Sequence, residues 1–287
     1  MNEFKPLLGA TLGALLVGFT VSCMLYGVTS AQCYFFLRRD IQNGQKFRII
    51  ICVLWFLETV QFVMVSHSVY HYAIARHGII NSLADPIWTL IAHIIPTYLI
   101  IGIVQYIWIM RIWTLSSHPL RTWIAGGMIG VIMLDWGICT DWISIHVAQK
   151  QWADIHRDWV TICSIVLIAF NDILATALLC LILHNSRSGI RQTDNIITVL
   201  MAYALNTGLL TCLVSIVTLI LIFFTPLEFY YIALYIIFGR LYINSLLAML
   251  NWRRGKVRTR RRRFGRREDA FELSTVPWGW RPPSSSQ

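Results

Sequence analysis

Long, uninterrupted runs of apolar residues recur along the chain from its N-terminus to about residue 251. The runs "IICVLWFLETVQFVMVSHSVY" and "LLTCLVSIVTLILIFF" are continuous and lack the alternation of a half-buried strand. A helix needs about 20 apolar residues to cross about 30 Å of hydrocarbon, whereas a membrane β-barrel would show alternating segments of about ten residues. The pattern predicts seven transmembrane helices, at about 7–32, 49–70, 87–110, 122–142, 160–184, 195–224 and 229–251.

Composition supports the same class. The chain of 287 residues is 56% hydrophobic and only 13% charged, with a mean hydropathy of +0.60, which is too apolar for an ordinary soluble domain. We therefore predict an all-α, polytopic membrane protein with a transmembrane domain over 1–251 and a basic, largely disordered tail over 252–287. The start "MNEFKP" is not followed by a recognisable cleavage site, so the first apolar run is predicted to remain as a span.

Basic residues in short loops mark the cytoplasmic side of a membrane protein. The loops after spans one, three and five hold eight of them: Arg38, Arg39, Lys46, Arg48, Arg111, Arg121, Arg187 and Arg191. The opposite side holds four: Lys5, Arg76, Lys150 and Arg157. The distribution predicts an N-terminus outside the cell and a C-terminus in the cytosol.

The tail carries a dense cluster of cations directly after the last span. Its ten members are Arg253, Arg254, Lys256, Arg258, Arg260, Arg261, Arg262, Arg263, Arg266 and Arg267. Each cation near a membrane surface adds about 1 kcal/mol of attraction to anionic lipid, so the tail is interpreted as a patch for anionic phospholipid headgroups. An arginine-based retrieval signal is the alternative that the sequence leaves open. Nucleic acid is not predicted as a partner, because binding would require a soluble module with base-reading chemistry.

Charged and amide side chains also lie inside the predicted spans. A charge near the bilayer centre costs about 2.5 to 3.5 kcal/mol, so these side chains are predicted to form a polar network between helices, with a ligand or ion pathway as the alternative. Its members are Glu58, Gln105, Asp135, Asn171, Asp172, Asn206, Arg240 and Asn244. Glu58 and Arg240 lie at similar midplane depth in spans two and seven, which predicts that they pair if these spans are neighbours, with Asp172 as the alternative partner of Arg240.

Three further patterns concern local structure and metal binding. His67 and His71 are four residues apart, so they share one face of a helix and are weak candidates for a metal site. The spacing G-x-x-x-G, at Gly9 to Gly13 and at Gly126 to Gly130, is typical of close helix contacts. Pro96 is predicted to kink span three.

Seven spans with an external N-terminus are also found in retinal pigments and G-protein-coupled receptors, but that likeness is an analogy. A retinal Schiff base requires a lysine in the last span, and the four lysines, Lys5, Lys46, Lys150 and Lys256, all lie outside the spans. The third span ends in "WIMRIW" without an acid before Arg111, and the last contains "LYINS" without a proline. Retinal chemistry is therefore excluded and coupling to G protein is not predicted.

Two segments resemble a large family of fungal, chiefly mushroom-type, membrane proteins known only as a domain of unknown function. They are "FNDILATALLCLILHNSRSGIRQTDNIITVLMAYALNTGLLT", Phe170 to Thr211, and "GRLYINSLLAMLNWR", Gly239 to Arg253. The patterns S-R-S-G-x-x-x-T-D and L-Y-x-N-S-L-L-A-x-L-N-x-R are the most specific parts, and the resemblance extends over about 8–253. It implies a seven-helix fold and no known activity.

Individual positions follow or depart from that family's pattern. Typical residues stand at Asp172, Asp194, Asn244 and Asn251. Glu58 occupies a position where the resemblance implies aspartate, Arg240 one where lysine is common, and Gln61 one where histidine is usual. Charge is kept at the first two positions, so only a role for the histidine is put in doubt.

The sequence thus predicts an integral membrane protein, interpreted as a receptor-like or sensory bundle. A transporter of a small solute is the alternative, and a membrane-embedded, metal-dependent hydrolase comes third. No nucleophile with its base and no complete metal set can be assembled, so neither an enzymatic activity nor a cofactor is predicted. The lipid bilayer is the predicted partner, and the plasma membrane is the predicted location, with the endoplasmic reticulum as the alternative.

Overall fold

A computed structural model describes residues 12–38, 45–75, 87–115, 121–149, 159–185, 191–224 and 230–251. Each described range is helical and no strand occurs within them. The helices are α1 (Ala14–Arg38), α2 (Gln45–Tyr70, continued by a π-helical turn over His71–Ala75), α3 (Trp88–Ala92 and Ile94–Leu115), α4 (Arg121–Gln149), α5 (Trp159–Asn185), α6 (Arg191–Phe224) and α7 (Tyr230–Asn251). The prediction of an all-helical fold is confirmed.

Six of these helices are long and apolar enough to cross a membrane. In α6, the continuous stretch whose side chains the structure describes is Gly208–Phe224, which is apolar. The chain is thus a multi-pass membrane protein, and a seventh crossing by α6 stays a prediction.

Helices α3 and α7 lie at the centre of the bundle. About 61% of the residues in the apolar part of each are buried, against 22 to 28% in α1, α2, α4 and α5. Consecutive helices from α1 to α6 pack against each other, and α3 also packs against α5. The side chains that α7 buries against its neighbours include Ile236, Ile243, Leu246 and Leu247. The two central helices therefore carry most of the buried surface on which a site can be built.

Close contacts between helices occur at glycines other than those in the predicted motifs. A Cβ added to Gly18 of α1 would lie 2.7 Å from the Cβ of Ala233 in α7, and one added to Gly102 of α3 would lie 2.6 Å from the ring of Trp136 in α4. A Cβ at Gly126 or Gly130 would meet nothing within 4 Å. The prediction that the G-x-x-x-G spacing of α4 supports a close contact within the bundle is therefore wrong, because the face of α4 that carries these two glycines does not meet another described helix.

Candidate functional site

A break in α3 positions a buried histidine, His93. Proline cannot donate a backbone hydrogen bond to the carbonyl four residues earlier, and its ring displaces that carbonyl, which for Pro96 belongs to Ala92. The α-helix is interrupted at the next residue, His93, and a kink of the helix at Pro96 stays a prediction. The imidazole Nδ1 of His93 lies 2.5 Å from the carbonyl oxygen of Leu90. Because a carbonyl can only accept, Nδ1 carries the hydrogen of this bond.

A cavity lies beside His93, at the end of the bundle where α3, α5 and α7 begin. The volume open to the centre of a water molecule is about 80 Å³. The total volume between atoms, including the part open to solvent, is about 750 Å³. One water needs about 10 to 15 Å³ by the first measure, so the cavity has room for a small molecule. Its wall is mostly aliphatic, with Leu90, Ile91, Ile94, Ile138, Val160, Ile165 and Ile232 among its members.

Several polar atoms of the cavity wall have no hydrogen-bond partner among the described residues. They include Nε2 of His93, whose side chain is about 2% exposed, the buried Oγ1 of Thr161 and the hydroxyl of Tyr235. Several threonines of this chain donate to the carbonyl four residues earlier, as Thr97 and Thr218 do. Thr161 lies in the first turn of α5, so the residue four positions earlier lies before the helix. The apolar cavity thus offers a ligand polar contacts at His93, Thr161 and Tyr235.

A chain of hydrogen bonds runs from the cavity wall to a buried carboxylate. The Oγ of Ser164 in α5 donates to Oδ1 of Asp135 in α4 at 2.5 Å, and the hydroxyl of Tyr98 in α3 lies 2.5 Å from the same Ser164 Oγ. Ser164 uses its only hydrogen on Asp135, so Tyr98 donates to Ser164. Tyr98 and Ser164 both line the cavity. The carboxylate of Asp135 is therefore separated from the cavity by a serine hydroxyl.

A second buried carboxylate, Asp172 of α5, lies deeper in the bundle. The hydroxyl of Tyr242 in α7 donates to its Oδ2, and the side chains of Gln105 in α3 and Thr211 in α6 also hydrogen-bond it. A small cavity of about 10 Å³ adjoins this cluster and is lined by Asp172, Thr211 and Tyr242, among others. The cluster joins four helices through one carboxylate.

Glu58 of α2 and Arg240 of α7 form a buried ion pair. The distance from Arg240 Nη1 to Glu58 Oε1 is 3.4 Å, and both side chains are fully buried. Thr29 of α1 donates to the same Glu58 oxygen at 3.1 Å. The rings of Tyr26 and Phe62 each have their centroid 5.6 Å from Arg240 Cζ, a distance at which a cation attracts an aromatic face. The pairing predicted from the common depth of the two residues is present.

The pair leaves several buried polar atoms unsatisfied. Nε and Nη2 of Arg240 and Oε2 of Glu58 have no hydrogen-bond partner. A buried ion pair repays its desolvation only when further hydrogen bonds complete it. The pair is therefore a poor source of net stability, but removing one partner would leave the other charge uncompensated.

The remaining members of the predicted network are distributed differently. Asn244 joins the ion-pair region by donating to the backbone carbonyls of Leu25 and Arg240, at 3.2 and 3.0 Å. Asn171 is buried, and neither its Oδ1 nor its Nδ2 has a hydrogen-bond partner. The side chain of Asn206 lies outside the described residues. The predicted polar residues thus form three local clusters, around Glu58, Asp135 and Asp172, rather than one continuous network.

The weak metal candidates, His67 and His71, stand one turn apart with ring centroids separated by 6.5 Å. His67 Nδ1 lies 3.1 Å from Thr89 Oγ1. Within the ranges that the structure describes, no group of three histidine, cysteine, aspartate or glutamate residues could hold a metal ion. The ten cations of the tail lie at 253–267, outside the described residues.

Sequence reasoning missed the hydroxyl partners of the buried carboxylates: Thr29, Tyr98, Ser164 and Tyr242. Single serine, threonine and tyrosine residues are common in apolar helices, and most serve only their own backbone. A usable signal was depth, because Ser164 and Asp135 lie in the halves of the predicted spans 160–184 and 122–142 that face the same side of the membrane. The sequence did not single out His93.

Comparison with known proteins places a family of unknown function (DUF6534) at residues 168–255. This segment includes most of α5, all of α6 and α7, and the two most specific patterns of the resemblance described above. The match does not extend to the first two helices, for which the resemblance stays an expectation. Neither a curated protein nor a solved structure matches the chain.

Proposed function

We propose that this protein is a receptor-like or sensory membrane protein whose ligand is a small, largely apolar molecule. The observation that carries the proposal is the cavity beside His93, which combines an aliphatic wall with unpartnered polar atoms on His93, Thr161 and Tyr235. Ligand sites are commonly apolar cavities with a few polar groups that fix orientation. The cavity lies at the end of the bundle that the distribution of basic residues assigns to the outside, where a sensor meets its signal.

Transport of a small solute is the second candidate. Three buried carboxylates, Glu58, Asp135 and Asp172, lie at different places through the bundle, and ionisable groups inside a membrane often mark ion or proton pathways. The two candidates differ in access. A sensor requires the cavity to open to one face only, whereas a transporter must expose the buried carboxylates to both faces in turn.

The cavity assignment is tested with matched substitutions at adjacent residues of α5. Ile165 lines the cavity and is buried, whereas Val166 is 48% exposed on the outer surface of the helix. In lipid nanodiscs, saturable binding of the fluorescent probe 1-aminoanthracene is expected in the wild-type protein and in Val166→Phe. It is expected to be lost in Ile165→Phe, because the larger ring fills the cavity.

The melting temperature of each variant is measured without probe, so that a loss of binding is not confused with unfolding. Equal probe binding in all three folded proteins would contradict the cavity as the ligand site. If Ile165→Phe does not fold, the wild-type protein still decides, because the absence of saturable binding to it contradicts the proposal.

We further propose that the tail lies in the cytosol and contacts anionic lipid headgroups at the plasma membrane. Full-length protein carrying a different epitope tag at each terminus is expected to be labelled at the N-terminus in intact cells and at the C-terminus only after permeabilisation. Replacing the ten tail cations by glutamine is expected to leave the location unchanged while weakening binding of the purified protein to phosphatidylserine vesicles. Movement of the protein from the endoplasmic reticulum to the cell surface on this replacement would instead support the retrieval signal.

A further inference from the structure

We infer that the ligand of the cavity is a neutral, mainly hydrocarbon alcohol whose hydroxyl donates a hydrogen bond to Nε2 of His93. This inference rests on the proposed function and specifies the chemistry of the ligand. The polar atoms of the cavity wall determine which hydrogen bonds a ligand can donate or accept, and the residues that line the cavity carry no charged aspartate, glutamate, lysine or arginine side chain.

The hydrogen bond to Leu90 determines the tautomer of His93. Its Nδ1 donates to the carbonyl of Leu90, so a neutral imidazole presents Nε2 as a lone pair that can only accept. A proton on Nε2 as well would place a positive charge in an apolar wall, at great cost unless it is paired. The nearest carboxylate in the wall's hydrogen-bond chain, Asp135, is already bonded to Ser164. His93 is therefore neutral, and its free position requires a donor.

The orientation of the His93 imidazole is fixed by its neighbours. The ring of Tyr235 in α7 meets the imidazole of His93 edge to face, with centroids 6.1 Å apart and an interplanar angle of 76°. Together with the bond to Leu90, this contact fixes the plane of the imidazole. The acceptor at Nε2 is therefore held in place before a ligand arrives, which lowers the entropy lost on binding.

The composition of the cavity wall excludes other ligand classes. The residues that line the cavity include no aspartate, glutamate, lysine or arginine, so neither an ammonium nor a carboxylate ligand would find a compensating charge. An ether or ketone has no hydrogen to donate to Nε2. A hydroxyl donates one hydrogen bond and accepts others, so it suits both His93 and the unpartnered hydroxyls of Thr161 and Tyr235. An alcohol on a hydrocarbon body is the class that fits both the wall and its polar atoms.

The experiment compares two isomers, 1-octanol and methyl heptyl ether, which differ mainly in the presence of a hydrogen-bond donor. Each competes against 1-aminoanthracene for the wild-type protein in nanodiscs. We expect 1-octanol to displace the probe at a concentration about threefold to tenfold lower than the ether requires, as one hydrogen bond would give. Octanoate and octylammonium, the charged analogues, are expected to displace it less well than 1-octanol.

Variants then identify the acceptor. His93→Phe keeps a ring of similar size without the acceptor, so we expect it to remove the preference for 1-octanol over the ether while the ether binds as before. Thr161→Val is expected to weaken 1-octanol alone, and Thr161→Ser to restore it. Thr114→Val is the control, because Thr114 is exposed at the opposite end of α3 and donates to Met110 O.

The outcomes separate the two proposals. If the wild-type protein does not bind the probe saturably, the proposed function fails. If the probe binds but 1-octanol and the ether displace it equally, or a charged analogue displaces it better than 1-octanol, the proposed function stands and the alcohol assignment is overturned. The comparison of isomers on wild-type protein needs no variant, so it decides even if His93→Phe does not fold.

Discussion

Replacing either Glu58 or Arg240 alone by glutamine is expected to lower the free energy of unfolding by about 3 to 5 kcal/mol. Glu58→Gln keeps the size of the side chain and Arg240→Gln shortens it, and each leaves the opposite charge buried without a partner, since both side chains are fully buried. The double variant Glu58→Gln/Arg240→Gln removes both charges and is expected to recover most of the lost stability. Thermal melting of the purified protein in detergent measures all three.

The matched control is Arg38→Gln, which removes a cation at the end of α1 that contacts the exposed ring and hydroxyl of Tyr34. Exposed charge contacts contribute about 0 to 1 kcal/mol, so this variant is expected to melt close to the wild type. A double variant that loses as much stability as the two single variants added together would show that Glu58 and Arg240 are not energetically coupled.

Gly18→Ala is expected to destabilise the protein by about 1 to 3 kcal/mol, the usual range for overpacking a well-packed contact. The new Cβ would lie 2.7 Å from the Cβ of Ala233 and 2.8 Å from its Cα. Neither atom can move without displacing α7. Melting temperatures under the conditions used for the ion pair would report the change.

The control Gly27→Ala lies on the same helix, where an added Cβ would meet nothing within 4 Å. Alanine is intrinsically favoured over glycine inside a helix by about 1 kcal/mol, so this variant is expected to be as stable as the wild type or more stable. The exchange Gly18→Ala/Ala233→Gly is expected to restore part of the lost stability. Equal melting temperatures for Gly18→Ala and Gly27→Ala would contradict the close contact between α1 and α7.

The sequence predicted features that depend on a single helix, or on the depth of two residues along their helices. Apolar runs predicted the helices, and Pro96 indicated an irregularity close to the interruption at His93. The common depth of Glu58 and Arg240 predicted their pairing, because an unpaired charge in hydrocarbon is expensive wherever its helix stands. Helix α1 continues six residues beyond the end of the predicted first span at 32, to Arg38, through the apolar segment "CYFFL".

Features that depend on which helix faces flank each other were not predictable. The spacing of Gly126 and Gly130 places both on one face of α4 but does not say whether another helix lies there, and none of those described does. Gly18 has no glycine four residues before or after it, yet it lies against Ala233 of α7. The cavity was equally inaccessible from sequence, because side chains from five helices line it and no single helix carries a signature of it.

The last helix has a mechanical consequence. Going along α7, Tyr235 lines the cavity, Arg240 is bound to α2, Tyr242 to α5, and Asn251 donates to the backbone carbonyl of Gln32 in α1. These four positions extend over about 24 Å of a helix that rises 1.5 Å per residue. A helix that is bonded to three different neighbouring helices at successive depths cannot tilt or rotate at one end alone. Any shift of Tyr235 must be carried toward the far face as a change in the strain on the bonds below it.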